Sequence, residues 1–351
     1  MRTIVSKFGG SSTANAAQFL RILAIIRASP ARRCIVLSAP GTDARNDKKI
    51  TALLADCWRW RDDAGRLEPL VSAVTDRFSD IAARLGLPDV RRRVRDELAR
   101  ALSVSEACTL SRGEYLCALL FSRFSGIPML DAADAIAFDA FSDVDMDRTR
   151  AALTGAVAAR HGRVILPGFY GAGPQGEIRT FPKNGSDITG AVAAASLSAG
   201  LYENWTDVPG LMTADPAIVP RAKLISQVSY RQMRLLARAG AQVLHPACLD
   251  PVAALGIPTR LRCTMSPEQF GTLISDGARM TVPCVASKSC PDGTARVTVF
   301  GADVKRVGRA AEGLHPLSAQ WEHEACVLTL PEERRIEAVR ALHAALVERA
   351  A

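Results

Sequence analysis

The sequence predicts an α/β fold: an open, mainly parallel sheet sandwiched by helices, with a small α+β module at the C-terminal end. Three observations carry this. Short runs rich in Val and Ile alternate with amphipathic helical patterns, the order that builds a parallel sheet covered on both faces. Glycines and other small residues follow the early strands, at the edge where such sheets bind ligands. The alternation then stops, and the final 70 or so residues read as strands with two helices. The division expected is residues 1–278 and 279–351.

Each element has its own signal. Thr3–Phe8 reads as a buried strand, and Asn15–Arg27 as a helix with Phe19, Ile22, Leu23 and Ile26 on one face. Cys34–Ala39 (CIVLSA) is the second strand, and residues 47–125 are mostly helical patterns with short breaks. Ile127–Asp131 reads as a strand after a glycine turn, Asp147–Ala159 as a helix and Val164–Gly168 as a strand. The segment FPKNGSDITG (181–190) then runs into an Ala-rich helix, with a strand at Leu201–Thr206. Ser229 and Gln232 are spaced as a capping box, and Gly240 suits a helix end. Ile257–Leu261 reads as the last strand of this part, and polar Ser266–Gly277 as a boundary loop. Beyond it, Thr281–Ser287, Arg296–Phe300 and Ala325–Leu330 read as strands and Val304–Ala311 as a helix. A helix over Glu332–Arg349 turns Ile336, Val339, Leu342 and Leu346 inward.

The bulk numbers narrow the class of function. A chain of 351 residues fits one large domain plus a small one. Its net charge of +8 fits a nucleic-acid partner or an anionic substrate. The densest basic run, Arg91-Arg92-Arg93 with Arg95, is flanked by Asp89, Asp96 and Glu97 and has no interleaved aromatics. It reads as a solvated helix face, and no nucleic-acid partner is expected. The nine cysteines form no CxxC pair and no metal spacing with histidine, as for reduced thiols in the cytosol. The N-terminus enters a strand without an apolar signal core, and no apolar run reaches the roughly 18 residues of a membrane span. A cytoplasmic protein with no membrane partner and no structural metal is expected.

Six motifs are candidates for chemistry. In VSKFGGSS (5–12) a strand delivers Lys7, and Gly9-Gly10 let backbone approach a ligand closely. Phosphoryl transfer uses such parts, and a tight βα turn with a surface lysine is an equal reading. LSAPG (37–41) puts Ser38 and other small residues at a strand exit. In SRGEYL (111–116), Glu114 either caps an apolar helix near its start or receives an ammonium group. WTDVPGLMTADP (205–216) holds a Pro-Gly turn between Asp207 and Asp215. GAQVLHP (240–246) places His245 before a proline, as a packed structural histidine. The anion-binding signal of FPKNGSDITG lies in Ser186-Asp187 at a helix entrance.

Taken together and in this order, the set resembles the aspartokinases of the amino acid kinase family. The matching stretches are KFGGSS, LSAPG with Thr51 downstream, SRGE, LPGFYG, NGSDITG, WTDVPGLMTADP and GAQVLHP, over most of residues 1–275. The C-terminal stretch CVLTLPEERRIEAVRALHAALVE is similar to the last strand and helix of an ACT-type regulatory domain. The resemblance implies that Mg-ATP phosphorylates the side-chain carboxylate of aspartate. Lys7 would neutralise the moving phosphoryl group and Asp187 would organise the site. Gly9, Gly10 and Ser11 would offer backbone donors, and Glu114 would face the substrate ammonium. Ser38, Thr51, Phe169, Lys183 and Ser186 would border the amino acid. Thr206, Asp207, Met212, Asp215, Pro216 and Gln242, with Lys7, Gly9 and Gly10, would hold the nucleotide. ATP, Mg2+ and a homodimeric partner are the further expectations.

The chain departs from the family pattern in places. Pro182-Lys183-Asn184-Gly185 stands where relatives carry Gly-Arg-Gly-Gly, so the two-pronged grip of Arg on the α-carboxylate becomes a point charge. Ala217 replaces an Arg, Gln242 a Lys and Met212 a frequent Tyr, with Arg221 or Lys223 as nearby substitutes. These changes keep two other readings open: a kinase for a modified amino acid, and a weakened amino-acid sensor. Room for about one ACT unit predicts weak or absent feedback inhibition by lysine or threonine.

Overall fold

The computed structural model describes residues 2–160, 162–182, 184–241, 244, 248–322 and 324–348. In chain order the elements are β1 (Ile4–Phe8), α1 (Ala16–Arg27), β2 (Arg32–Leu37), α2 (Ile50–Arg59), α3 (Ala64–Arg84), α4 (Arg91–Leu102) and α5 (Glu106–Ser125). There follow α6 (Ala132–Ala135), α7 (Met146–Ala159), β3 (Val164–Pro167), β4 (Tyr170–Ala172), β5 (Ile178–Thr180), α8 (Gly185–Ser196) and β6 (Leu201–Thr206). Next come β7 (Gln227–Val228), α9 (Tyr230–Arg238), α10 (Asp250–Ala253), β8 (Thr259–Cys263) and β9 (Thr272–Ile274). The last are β10 (Cys284–Ser289), β11 (Thr294–Phe300), α11 (Val304–Ala310), β12 (Ser318–Glu322), β13 (Ala325–Pro331) and α12 (Arg335–His343). The chain divides into two compact units, the first of residues 1–207, 247–259 and 263–267, the second of 208–246, 260–262 and 268–351.

In the first unit the strands lie in the order β3-β2-β1-β6. The pairs β1–β2, β1–β6 and β2–β3 are parallel. Nearly every residue of β1, β2 and β3 is buried, which explains their unbroken apolar runs. Asn15 caps α1, its side chain accepting the Gln18 N–H at 3.2 Å. Phe19, Ile22, Leu23 and Ile26 are buried as the helical spacing predicts, packing with Phe78, Leu98, Phe121 and Trp205. The basic run of α4 is a solvated face: Arg91 and Arg95 reach Asp76 and Glu68 of α3, and Arg92 pairs with Asp96. All nine cysteines are unbonded to one another.

In the second unit β7 and β9 pair in parallel. The strands β10-β11-β13-β12 form an antiparallel sheet. Val285, Val297, Val299, Leu328 and Leu330 of that sheet bury against Val339, Leu342 and Leu346. The capping box forms as predicted: Ser229 Oγ accepts the Gln232 N–H and the Gln232 side chain accepts the Ser229 N–H.

Several expectations need correction. Ile127–Asp131 is no strand; it makes one bridge, Met129 to Ile165. The polar stretch 266–277 contains β9, whose Thr272 hydroxyl satisfies buried backbone on both sides. The hairpin β4–β5 and strand β12 carry little apolar alternation and were not anticipated. The C-terminal helix is a 3-10 turn at Glu332–Arg334, then α12, then a π turn at Ala344–Glu348. The irregular start turns Ile336 outward, 44% exposed, while Val339, Leu342 and Leu346 are buried. No described helix is long and apolar enough to cross a membrane.

Candidate active site

The register of β1 against β6 builds the first part of the site. Ser6 lies opposite Glu203, Lys7 opposite Asn204 and Phe8 opposite Trp205. Side chains alternate along a strand, so these pairs go to alternate faces. On one face, Ser6 donates to Glu203 Oε2 at 2.8 Å, and Arg32 grips both Glu203 oxygens at 2.7 and 2.9 Å. Trp205 Nε1 donates to the same carboxylate and its ring stacks on Phe8. Burial pushes the Glu203 carboxyl up, but the Arg32 bonds and charge outweigh it and hold it below the usual range. On the other face, Lys7 forms an ion pair with Asp187 in the first turn of α8. Asn204 Nδ2 donates to Asp187 Oδ1 at 3.0 Å, and the Tyr202 hydroxyl donates to the Asp187 carbonyl at 3.0 Å. Lys7 is only 7% exposed, so its charge works in a partly dry setting.

The glycine loop follows directly. The Gly9 N–H donates to the Trp205 carbonyl, and Gly10–Thr13 make one 3-10 turn. Among the described residues the N–H groups of Gly10 and Ser11 have no hydrogen-bond partner. The Gly41 N–H donates to the Gly10 carbonyl at 2.8 Å, and a Cβ on Gly41 would lie 2.7 Å from the Gly10 carbonyl carbon. Only glycine allows these two backbones to touch. The Thr13 hydroxyl sits 3.1 to 3.3 Å from the carbonyls of Gly9, Gly10, Ser38 and Ala39, tying the two loops together. The Ser38 N–H donates to the Phe8 carbonyl.

Glu114 is not at a helix start. Helix α5 begins at Glu106, capped by Ser105, so Glu114 lies in its middle and caps nothing. The polar start EACTLSRG hides the true beginning. Glu114 is 4% exposed; the Ser186 hydroxyl approaches its Oε1 at 3.5 Å, and among the described residues Oε2 has no hydrogen-bond partner. Burial pushes its carboxyl up to about 8, against the opposing pull of backbone at Ala39, of the Ser186 hydroxyl and, least, of the Lys7 charge. A buried carboxylate oxygen without a donor is a place for a cationic ligand group.

Phe169 and Ser186 border the same region. Phe169 holds φ at 79°, and its N–H donates to Thr189 Oγ1 at 2.9 Å. Its carbonyl accepts the Phe181 N–H at 2.8 Å, so both sides of the strained residue are tied down. A Cβ on Gly168 would lie 2.6 Å from Ser186 Cβ. Thr51 is the second residue of α2, half-buried, after Ile50 donates to the Pro40 carbonyl. Asn184 takes a left-handed conformation at the entrance of α8, and Pro182 is exposed. Lys183 lies outside the described residues.

Thr206 Oγ1 donates to Asp207 Oδ1 at 2.9 Å at the exposed end of β6. Met212, Asp215 and Pro216 belong to the second unit. Asp215 Oδ1 accepts the Ala217 N–H at 2.9 Å, closing its own turn. Between them, the Thr213 hydroxyl accepts the Lys223 N–H at 2.8 Å and meets buried His343 Nε2 at 2.9 Å. Lys223 Nζ is 3.5 Å from the Val347 carbonyl. Gln242 and His245 lie outside the described residues. Sequence reasoning missed Asn204, Tyr202, Thr13 and Thr189. The first has a legible signal, since it stands opposite Lys7 once the two strands are put in register.

A model of the amino acid kinase family matches residues 2–263. Aspartokinase 3 of Bacillus subtilis is 34% identical over 285 residues, covering 77% of this chain and 63% of the relative. The lysine-sensitive aspartokinase 3 of Escherichia coli is 33% identical over 301 residues, covering 77% of this chain and 64% of the relative. The chain thus spans less than two thirds of either relative in these matches. In fold, it is similar to the aspartate kinase of Clostridium acetobutylicum, with a TM-score of 0.85 at 24% identity over 99% of this chain and 100% of that one. It is also similar to E. coli aspartokinase III crystallised with aspartate and ADP, with a TM-score of 0.82 at 23% identity over 98% and 99% of the two chains. With the family's match running through the strand, glycine loop and helix entrance that assemble the site, the chain belongs to the amino acid kinase family.

Proposed function

We propose that the chain transfers the γ-phosphoryl group of ATP to the side-chain carboxylate of L-aspartate, giving 4-phospho-aspartate and ADP. One observation carries the reading: adjacent residues at the entrance of α8 bring two groups together, Asp187 holding the Lys7 cation near the unpartnered N–H groups of the glycine turn and Ser186 meeting the buried Glu114 carboxylate. The first pair suits phosphate oxygens and the second suits the ammonium of an amino acid.

In this reading a carboxylate oxygen of aspartate attacks the γ-phosphorus, the bond to the β–γ bridging oxygen breaks, and ADP leaves. No proton has to move, because the nucleophile is already ionised. Positioning and charge neutralisation then carry the rate. Lys7 meets the transferring group, with Asp187 and Asn204 fixing its ammonium. Gly9, Gly10 and Ser11 supply backbone donors. Glu114 takes the substrate ammonium, bordered by Ser38, Thr51, Phe169 and Ser186, and Lys183 takes the α-carboxylate. Thr206, Asp207, Met212, Asp215, Pro216 and Gln242 serve the nucleotide. Mg2+ enters with ATP, held mainly by phosphate oxygens and water. Residues 1–278 form the catalytic part and 279–351 an ACT-like part serving regulation or dimerisation, in a cytoplasmic homodimer.

A second reading rests on Pro182-Lys183 in place of the family's Gly-Arg: the acid is a modified amino acid with a different carboxylate arrangement. Incubation with Mg-ATP, hydroxylamine and a panel of acidic amino acids, scored for hydroxamate and ADP, decides. Turnover of aspartate above the others supports the first reading, and preference for another acid supports the second. No ADP with any acid sinks both.

A further inference from the structure

Arg77 lies on α3, away from every motif named so far. It is 5% exposed, and among the described residues it forms no ion pair. Its guanidinium reaches three backbone carbonyls instead. Nη2 donates to the Gly41 carbonyl and to that of Ala14 at 3.3 Å, and Nη1 lies 3.4 Å from that of Lys48. Among the described residues its Nε has no hydrogen-bond partner. Asp43 and Asp80 favour the charge from nearby, but the first carboxylate is taken by Asn15, Asn46 and the Arg45 N–H and the second by Arg84.

A buried guanidinium bonded only to carbonyls is a costly way to fill a helix interface. The three carbonyls explain what it does there. Ala14 closes the turn that presents Gly10 and Ser11. Gly41 ends LSAPG, and its backbone touches that of Gly10. Lys48 precedes the start of α2, which carries Thr51. Thr13 joins the first two segments, and Arg77 joins all three.

We propose that Arg77 is a positioning residue for the amino-acid side of the site, fixing the spacing between the glycine turn, LSAPG and the start of α2. The planar fork is what reaches several carbonyls at once, so lysine cannot replace it. This rests on the reading of those segments as substrate-facing.

The test uses the full chain with Arg77→Lys and Arg77→Met. Steady-state kinetics with aspartate and ATP are run below each variant's melting temperature. Amide hydrogen exchange is followed over residues 9–14 and 38–50. Arg77→Lys is expected to fold, to lose about tenfold or more in kcat/KM for aspartate, and to keep KM for ATP within about twofold, since small misplacements at a reacting site are costly. Exchange should quicken in those two segments and not elsewhere in the first unit. Wild-type kcat/KM for aspartate in folded Arg77→Lys, or exchange unchanged in both segments, overturns the proposal. Where Arg77→Met does not fold, Arg77→Lys carries the result. Should the wild-type chain turn over no acid, the proposed function fails on its own, and hydrogen exchange alone decides for or against Arg77.

Discussion

The Lys7 ammonium is held by the Asp187 carboxylate, and Asn204, directly opposite Lys7 across the β1–β6 pair, holds the same carboxylate from the other strand. The cation is therefore aimed before any ligand arrives. Lys7→Ala is expected to cost about 100-fold or more in kcat, the scale of losing one transition-state charge stabiliser. Asn204→Ala should cost less, because it frees Asp187 without removing charge. Steady-state ADP release checks both, and a near-normal rate in Lys7→Ala removes Lys7 from the mechanism.

Glu114 sets a pH dependence. Burial raises its carboxyl to about 8, so it is largely protonated at neutral pH without a ligand and must lose that proton to hold an ammonium group. Apparent affinity for the amino acid should rise with pH towards about 8 and then level off, and Glu114→Gln should bind weakly with no such slope. The stability sign runs the other way. The folded state favours the protonated carboxyl, a contribution fully present below the ordinary carboxylate range and lost as pH rises to about 8. Glu114→Gln should therefore raise the melting temperature more at pH 8 than at pH 5. Equal shifts at the two pH values sink the assignment.

Gly168→Ala tests the fit between the β3 exit and the α8 entrance. Its new Cβ would meet Ser186 Cβ at 2.6 Å, with backbone behind it, so the helix entrance must move. KM for the amino acid should rise about tenfold, while KM for ATP changes little, because misplacement of a binding group is felt where it binds. Titration calorimetry with the amino acid alone gives an independent reading.

Thr213 and His343 link the loop bearing Met212 and Asp215 to α12 within the second unit. Glu348 accepts from His343 Nδ1 at 3.2 Å, which leaves Nε2 to accept the Thr213 hydroxyl, whose oxygen in turn takes the Lys223 N–H. His343→Leu leaves that buried hydroxyl without its acceptor and should destabilise by about 1–3 kcal/mol. Thr213→Val combined with His343→Leu should cost less than the sum of the two alone. Additive losses in denaturant unfolding would show the pair uncoupled.

Much of this was legible beforehand. The strand ends at Phe8 and Thr206 were found because buried parallel strands are short apolar runs with clear glycine and polar exits. Helix starts were found where a side chain caps them, as at Asn15 and Ser229. Glu114 was misplaced because its helix opens with a polar turn that hides the cap at Ser105. β9 was missed because its three residues do not alternate and its pairing with β7 is remote in sequence, and β12 because it is an exposed strand fixed by its hairpin with β13. Asn204 and Arg77 escaped for a common reason: their roles come from contacts that appear only once distant segments meet.

The β1–β6 register also bears on how this chain tolerates insertions. Ser6, Phe8, Glu203 and Trp205 form a buried polar and aromatic lock on one side, while Lys7 and Asn204 serve Asp187 on the other. A single residue added or lost within either strand would swap the two sides, sending the lysine into the lock and the glutamate towards the ligand. Length changes in these strands are thus doubly forbidden, by folding and by chemistry at once.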